Sequence, residues 1–460
     1  MTQIAILHAM KLKKFLRYIA IFFVVVIGLI VLFFVVAVVP IDRDIDRTQL
    51  LAAMTNEMDT LPQATPPGER FMVGHAKENL TPPYPTATAG YGKRLGKLYT
   101  SVHDSLYVRT LVFDNGTNRV AVVSADLLII PPTVTELLEK ELPEIGFTLD
   151  NTYLGAVHTH NGIGNWGKGA MAFLYGSYND SIVHFIADKI KSSIVKAAQN
   201  LKPATLKTGT IPLDEIVYNR MIDNGPVDSL LRVVEVHHSD SSKLLLMSFT
   251  AHATCLFSRD IVLSRDYPGK LVDTLEKQGY DFVMFMAGSV GSHAGKVPEQ
   301  GWSCVDVMSE EITKGFLSNR DRLFSVNDST LVMHRVPLLL SETQAKVLKD
   351  WRLRPWTFDL AFGDYPEFLT VLRVGSIVML GAPCDFSGEF NRSIDSLATR
   401  HGLHAMVTSF NGGYIGYVTP DKYYDVDHYE TQLMNWYGPG NGEYIEKCME
   451  QLMLTVVRNP

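Results

Sequence analysis

Cysteine is scarce in this chain. The four residues, Cys255, Cys304, Cys384 and Cys448, are too few and too scattered for a disulfide scaffold, and none forms a Cys-x-x-Cys metal pair. A basic excess is missing as well. Against 42 Lys and Arg stand 49 Asp and Glu, a formal net charge of -7. Phosphate backbones are bound by neutralising them with cationic side chains, so a nucleic-acid partner is excluded. There is no internal repeat, and with 46% hydrophobic and 20% charged residues there is no signature of disorder. What is present is 460 residues, enough to bury a substantial core.

Long apolar runs are absent too, with one exception. Phe15 to Pro40 is almost wholly apolar, and Ile19 to Val39 carries no charge. About 20 such residues cross a bilayer. Lys11, Lys13, Lys14 and Arg17 precede the run, and Asp42, Arg43 and Asp44 follow it. Basic flanks stay in the cytoplasm, so residues 1–14 are expected there, 15–40 as a transmembrane anchor, and the rest in the periplasm or outside the cell. A cleaved signal peptide is the rival reading. The run is longer than a usual signal core, and no small-residue cleavage site follows it. An extracytoplasmic position permits disulfides without showing which cysteines pair.

Residues 41–68 are polar and end near Pro62, Pro66 and Pro67, which reads as a linker or a membrane-proximal helix. The stretch to Arg94 is rich in proline and glycine (Leu80-Thr-Pro-Pro-Tyr-Pro, then Ala89-Gly-Tyr-Gly92) and is expected as an ordered surface loop. From Leu106 onward strand and helix signals alternate. Strands are expected at 106–113, 119–130, 152–157, 231–237, 243–249, 281–286, 331–340, 368–380 and 405–409. Helices are expected at 133–142, 180–201, 269–278, 305–317, 341–351, 387–400 and 442–457, with Ser341 as a cap. The alternation predicts an α/β fold: one domain over 69–460, a layered mixed β-sheet with flanking helices, preceded by one N-terminal transmembrane helix.

Five apolar runs stop at polar residues beside small ones. They are Val157-His-Thr-His-Asn161, Phe249-Thr-Ala-His-Ala-Thr254, Phe285-Met-Ala-Gly-Ser-Val-Gly-Ser-His293, Leu380-Gly-Ala-Pro-Cys-Asp385 and Phe410-Asn-Gly-Gly-Tyr-Ile-Gly-Tyr417. Crevices beyond the carboxyl ends of strands are where α/β proteins build sites, so the five are expected to converge. In an extended segment His158 and His160 share a face. His158, His252 and a carboxylate could hold zinc with one position open for water. His160 could act as general base or hold a substrate carbonyl, and Arg220 could stabilise a developing oxyanion. A serine of Gly288-Ser-Val-Gly-Ser292 could be the nucleophile. Cys255 and Cys384 stand near these motifs, and a thiolate from either could bind a soft metal.

The ordered set Ala156-Val-His-Thr-His-Asn-Gly, Tyr218-Asn-Arg220, Ala251-His-Ala-Thr254, Ser264-Arg-Asp266, Ala382-Pro-Cys-Asp-Phe386, Gly416-Tyr-Val-Thr419 and Trp436-Tyr-Gly-Pro439 resembles the neutral/alkaline non-lysosomal ceramidase family. The resemblance runs from about Phe71 to Pro439. It implies a zinc-dependent amidase that splits the N-acyl bond of ceramide into fatty acid and sphingoid base. It implies zinc ligands at His158, His252, Asp385 and Tyr417, with His160 and Arg220 in the substrate centre and Ser292 as nucleophile. The chain departs from the family pattern at two of these places. Asp385 stands where the family has glutamate, with Glu389 as a rival and Tyr414 as an alternative to Tyr417. The serine motif is shifted, so that strict register puts Gly291 at the serine and Ser289 at an aspartate. Two other readings stay open: a metal-dependent hydrolase of another amide or ester, and a degenerate member that binds lipid without turnover.

Overall fold

A computed structural model describes residues 2–62 and 68–457, the side chains of 2–7 and 9 excepted. Pro66 and Pro67, residue 1 and residues 458–460 lie outside it. Two sheets pack face to face, and helices cover their outer sides. The larger sheet has nine strands. Its order is 282–287, 243–249, 230–238, 202–212, 71–79, 107–114, 119–125 and 152–156, with 324–326 also paired to 202–212. The smaller has four, in the order 331–337, 368–374, 377–382 and 404–409. Parallel and antiparallel pairs occur in both, so the expected layered mixed α/β architecture is the observed one.

Alternation of side chains along each strand builds the layers. Val120 and Val122 face the smaller sheet, in a cluster with Leu372, Met379 and Met406. Ala121 and Val123 face the other way, against Ile182, Ile186, Ile190 and Ile194 of helix Asp180–Gln199. The smaller sheet is backed by helices Asn391–Arg400 and Asn441–Thr455. The expected hairpin at 230–249 forms as an antiparallel pair.

Two expectations are corrected, and two stretches without a single reading take a definite form. Residues 341–351 are not a helix; Lys346–Leu348 and Trp351–Leu353 are strands, and Trp351–Leu353 also pairs with Val38–Pro40. Pairing partners distant in sequence override the local helical spacing. Phe71–Asn79, placed ahead of the proline-rich stretch, is a strand in the middle of the large sheet. The stretch after it is a surface loop at 83–85, but Leu80 and Thr86 to Ala89 are buried. Its backbone groups are satisfied inside, Ala87 N–H by Asn165 Oδ1 (2.7 Å) and Ala89 N–H by Gly162 O (3.0 Å). Residues 41–62 are not a loose tether. Helix Thr48–Asp59 seats Met54 and Met58 in the core beside helix Asn441–Thr455, and Arg47 Nη2 donates to Tyr437 O at 2.7 Å.

Cys255 is bonded to Cys304, so it is not available to a metal. Cys384 is buried and reduced, its thiol pushed up by desolvation. The disulfide ties the loop carrying His252 to the start of helix Trp302–Asn319 across 49 residues. Loop-closure entropy for that span is about 4 kcal/mol. We therefore expect the Cys255→Ser/Cys304→Ser variant to lose stability of that order in urea unfolding, with a steeper slope because the unfolded chain is freed to expand.

Candidate metal centre

All five strand-end motifs meet. The larger sheet delivers 157–161, 250–254 and 288–293 from three strands, and the smaller delivers 383–386 and 410–418 from two. Gly291 N–H donates to Phe386 O at 2.8 Å, joining the two sets. Asp385 and Tyr417 lie side by side because residues 385–386 and 417–418 form a short parallel ladder.

Strand 152–156 ends before the histidines. His158 sits in the left-handed region at φ 63°, and its ring stacks on Phe410 at 3.9 Å. A β-extended alternation is therefore not what brings His158 and His160 together; a strained turn does it, held from outside. Arg94 holds it, with Nη1 donating to His160 O (2.7 Å) and Nη2 to Asn161 Oδ1 (3.2 Å). Tyr91 packs on the His160 ring at 4.9 Å. Gly90 leaves the space, since a Cβ there would lie 2.4 Å from His160 Cα.

The imidazole Nε2 atoms of His158, His160 and His252 meet at one point, 2.8 Å (158 to 252), 3.2 Å (158 to 160) and 3.1 Å (160 to 252) apart. Backbone carbonyls set two of the tautomers. His158 Nδ1 faces Leu128 O at 2.7 Å and His252 Nδ1 faces Val290 O at 3.3 Å. A carbonyl only accepts, so each Nδ1 carries the proton and each Nε2 presents a lone pair. Two lone pairs at 2.8 Å repel unless a cation lies between them. Burial keeps all three rings neutral, pushing His158 down to about 3 and the other two well below the usual histidine range.

Asp385 completes the set. Its Oδ2 accepts from Tyr414 Oη at 2.7 Å. Its buried Oδ1 lies 3.5 Å from His158 Nε2 and has no hydrogen-bond partner among the described residues. An orphaned carboxylate oxygen beside three convergent nitrogens is a fitting donor set for one divalent cation. The separations approach the ~3.3 Å edge of a tetrahedron with zinc–nitrogen bonds of ~2.0–2.1 Å. His160, expected to face substrate, contributes its nitrogen to the same point as the other two.

Desolvation raises the Asp385 carboxyl to about 7, against hydrogen bonds and the Arg220 charge that lower it. In the metal-free protein a raised carboxyl contributes stability below its unfolded value of about 4, and that contribution is lost as pH rises through about 7. His158 has the opposite sign: its contribution is present above its unfolded value of about 6.5 and is lost as pH falls toward about 3. Binding a cation then displaces the Asp385 proton below pH 7. We expect apparent zinc affinity to rise about tenfold per pH unit from 5 to 7 and to flatten above, measured by competition with a chromophoric chelator.

Arg220 is largely buried. Its Nε pairs with Glu430 Oε1 at 3.0 Å, and its Nη2 donates to Tyr417 Oη (3.0 Å) and Gly291 O (3.2 Å). Desolvation opposes its charge, but Tyr417, Glu430 and Asp385 outweigh that and raise its pKa. Next to the cluster is a cavity of about 480 Å³ walled by Leu128, Ile129, Trp166, Met171 and Tyr175. Its mainly apolar lining with a few polar groups is the usual make-up of a small-molecule site.

Residues 71–282 match the family described as neutral/alkaline non-lysosomal ceramidase, N-terminal. The resemblance to the ceramidases is thereby established. The whole fold agrees with it. Neutral ceramidase from Pseudomonas aeruginosa superposes with a TM-score of 0.69 at 17% identity, covering 84% of this chain and 73% of that one. A ceramidase complexed with C2 superposes with a TM-score of 0.69 at 16% identity, covering 85% and 74%.

Two ceramidase-like expectations are sharpened by the geometry. Glu389, the rival carboxylate, is taken by Asn219 Nδ2 (2.9 Å), Tyr423 Oη (3.2 Å) and Lys422 Nζ (3.0 Å), none of which belongs to the imidazole cluster. Ser292 is not brought to the imidazoles. Its buried hydroxyl meets His293 Nδ1 (2.7 Å), Ser387 Oγ (2.8 Å) and Gly388 N–H (3.2 Å). Nor can His293 activate it. Its Nε2 accepts from Asp228 N–H at 2.9 Å, so its Nδ1 carries the proton and donates toward Ser292. Ser289 is also engaged elsewhere, with Asn391 Oδ1 at 2.7 Å.

Sequence reasoning missed Arg94, Phe410, Glu430 and Tyr91. Phe410 and Tyr91 stand inside motifs it had marked. Arg94 and Glu430 carry no local signal.

Proposed function

We propose that this chain is a zinc-dependent amidohydrolase, held to a membrane by its N-terminal helix, that cleaves the N-acyl bond of ceramide or a related N-acyl lipid. The products are a fatty acid and a sphingoid base. One observation carries the reading: three imidazole nitrogens, two of them tautomer-fixed, and an orphaned carboxylate oxygen converge beside an apolar cavity. The ceramidase match supports the reaction class, a hydrolase of linear amides. Met10–Ala37 is long and apolar enough to cross a membrane. With the basic flank in the cytoplasm, the site lies on the outer side of the bilayer.

His158, His160 and His252 would hold the zinc, their Nε2 atoms being the ones that converge, and Asp385 with its orphaned Oδ1 would join them. Zinc in such a site supplies Lewis acidity, polarising a carbonyl and acidifying water. Arg220 keeps its positive charge at the centre and offsets the charge that develops on the amide oxygen. Tyr417 Oη accepts from Arg220, which leaves its own proton to be given to the departing nitrogen. The cavity walls receive the acyl chain and exclude water around it. Water supplies the attacking oxygen, since the hydroxyls of Ser289 and Ser292 are engaged elsewhere, and the proton it sheds returns to Tyr417 Oη as that group passes its own to the departing nitrogen.

This assignment separates Tyr417 from the ligands. We expect Tyr417→Phe to keep one zinc per chain while kcat falls about 100-fold. Loss of zinc in that variant would make the tyrosine a ligand instead. To test the reaction, fatty-acid release from a short-chain fluorescent ceramide is followed with and without chelator, beside N-acyl amino acids and esters. Release from the ceramide that stops with chelator supports the reading. A folded, zinc-loaded protein that releases nothing sinks it.

A further inference from the structure

The N-terminal helix is not attached by a free tether. Immediately after it, Val38–Pro40 pairs antiparallel with Trp351–Leu353. Arg354 N–H and Thr357 Oγ1 both donate to Ala37 O, at 2.8 and 3.2 Å, so helix Pro355–Phe362 begins where the long helix stops. The short helix then runs back beside the long one. An open groove between them is lined by Leu29, Leu32, Phe33 and Val36 on one side and Trp356 and Leu360 on the other. From Leu29 to Ala37 a helix rises ~12 Å. Whatever surrounds that part of the N-terminal helix also surrounds Trp356 and Leu360.

The exposed chemistry fits a bilayer surface. Trp356 is 52% exposed, Leu360 75%, and Phe173 of the neighbouring helix Ala170–Tyr175 69%. Leu348 and Trp351 add exposed apolar surface on the adjoining hairpin, which also carries exposed Lys349, with exposed Arg354 just after it. Tryptophan with lysine and arginine at an apolar edge is the composition of a membrane–water boundary. Of the acidic groups here, exposed Asp350 on the hairpin is paired with Arg43 at 3.3 Å, and Asp359 and Asp364 line a cavity on the other side of the short helix together with Lys168.

The other face of the short helix looks toward the site. Phe358 and Phe362 line that inner cavity of about 670 Å³ with Trp436 and Tyr437. It shares Ile129, Trp166, Met171 and Tyr414 with the cavity at the imidazoles. The two helices of eight and six residues that flank the entrance touch at Gly169, where a Cβ would lie 2.3 Å from Ala361 O.

We propose that helix Pro355–Phe362 lies in the outer leaflet of the bilayer beside the N-terminal helix, and that an N-acyl lipid reaches the imidazole cluster sideways, past this helix, without leaving the membrane. The route rests on the amidase and anchor readings above; the bilayer contact rests on the anchor alone. The test uses the full chain reconstituted into phosphatidylcholine vesicles whose acyl chains are brominated near the headgroup. The chain has five tryptophans, none in Met10–Ala37. Bromine is expected to quench the wild-type fluorescence, and Trp351→Phe/Trp356→Phe is expected to remove most of that quenching. Equal quenching of both proteins, or none of either, as when a second copy covers this face, overturns the bilayer contact. In parallel, Leu360→Asp is expected to slow hydrolysis of bilayer-embedded ceramide at least tenfold while the rate on a water-soluble short-chain ceramide is unchanged. Equal slowing of both, or of neither, overturns the route. Quenching without any hydrolysis leaves the bilayer contact standing and removes the amidase reading and the route with it.

Discussion

With His158 replaced by alanine, the protein is expected to retain less than about a tenth of the wild-type zinc and to lose more than about 100-fold in kcat/KM. Groups that merely orient a ligand cost 10–100-fold when mutated, and a ligand costs more. The residue is also the most constrained of the three. Its ring is stacked on Phe410, its Nδ1 is tied to Leu128 O, and its backbone is left-handed. Alanine at φ 63° keeps the backbone strain without the ring, so some loss of stability accompanies the loss of zinc. Conversion to glutamine separates the two effects, since it refills the volume without the imidazole lone pair. If His158→Ala retained stoichiometric zinc, the convergence of the three nitrogens would have another cause.

Arg220→Met is expected to lower kcat by about 10²–10³ while leaving zinc bound. Methionine is similar in length and apolar, so packing is largely kept. The charge that faces Tyr417, Gly291 and Glu430 is lost. Glu430 is then left buried with only His428 Nδ1, at 3.3 Å, beside it among the described residues, which costs up to roughly 3 kcal/mol in stability. Adding Glu430→Gln is expected to recover most of that stability and none of the activity. A double variant that regained activity would show Arg220 to be a structural counter-ion rather than a group acting on substrate.

Both predictions concern side chains that the sequence marks, yet their arrangement is only partly legible there. The helix over 180–199 is plain because Ile182, Ile186, Ile190 and Ile194 recur at helical spacing over about three turns. Strand ends stopping at histidine or aspartate are plain for the same reason: an apolar run halts at a polar group. What local pattern does not carry is anything decided by a distant partner. Residues 341–351 have helical spacing, but Lys346–Leu348 pairs with Trp351–Leu353, which in turn pairs with Val38–Pro40. Phe71–Asn79 reads as polar toward its end, yet it pairs over 72–79 with 107–114 and at its apolar start with 202–204 as well. The Cys255–Cys304 bond closes a loop across 49 residues.

The site divides along the same line. His158, His252 and Asp385 are marked by position and do come together. The joining of His160 to them depends on a left-handed turn gripped by Arg94, which comes 64 residues before His158. The proton on each Nδ1 is set by Leu128 and Val290, carbonyls with no side-chain signature at all. The serine loop is the clearest case. Its composition suggests a nucleophile, while the direction of one hydrogen bond, from Asp228 N–H to His293, denies it a base.

The most direct test of the central claim is a zinc titration of chelator-treated protein, with bound metal and fatty-acid release from ceramide measured on the same samples. Release is expected to rise from a baseline near zero in step with bound zinc and to stop rising at one zinc per chain. Full release before any zinc is added, or one tightly bound zinc per chain with no release, would contradict the claim.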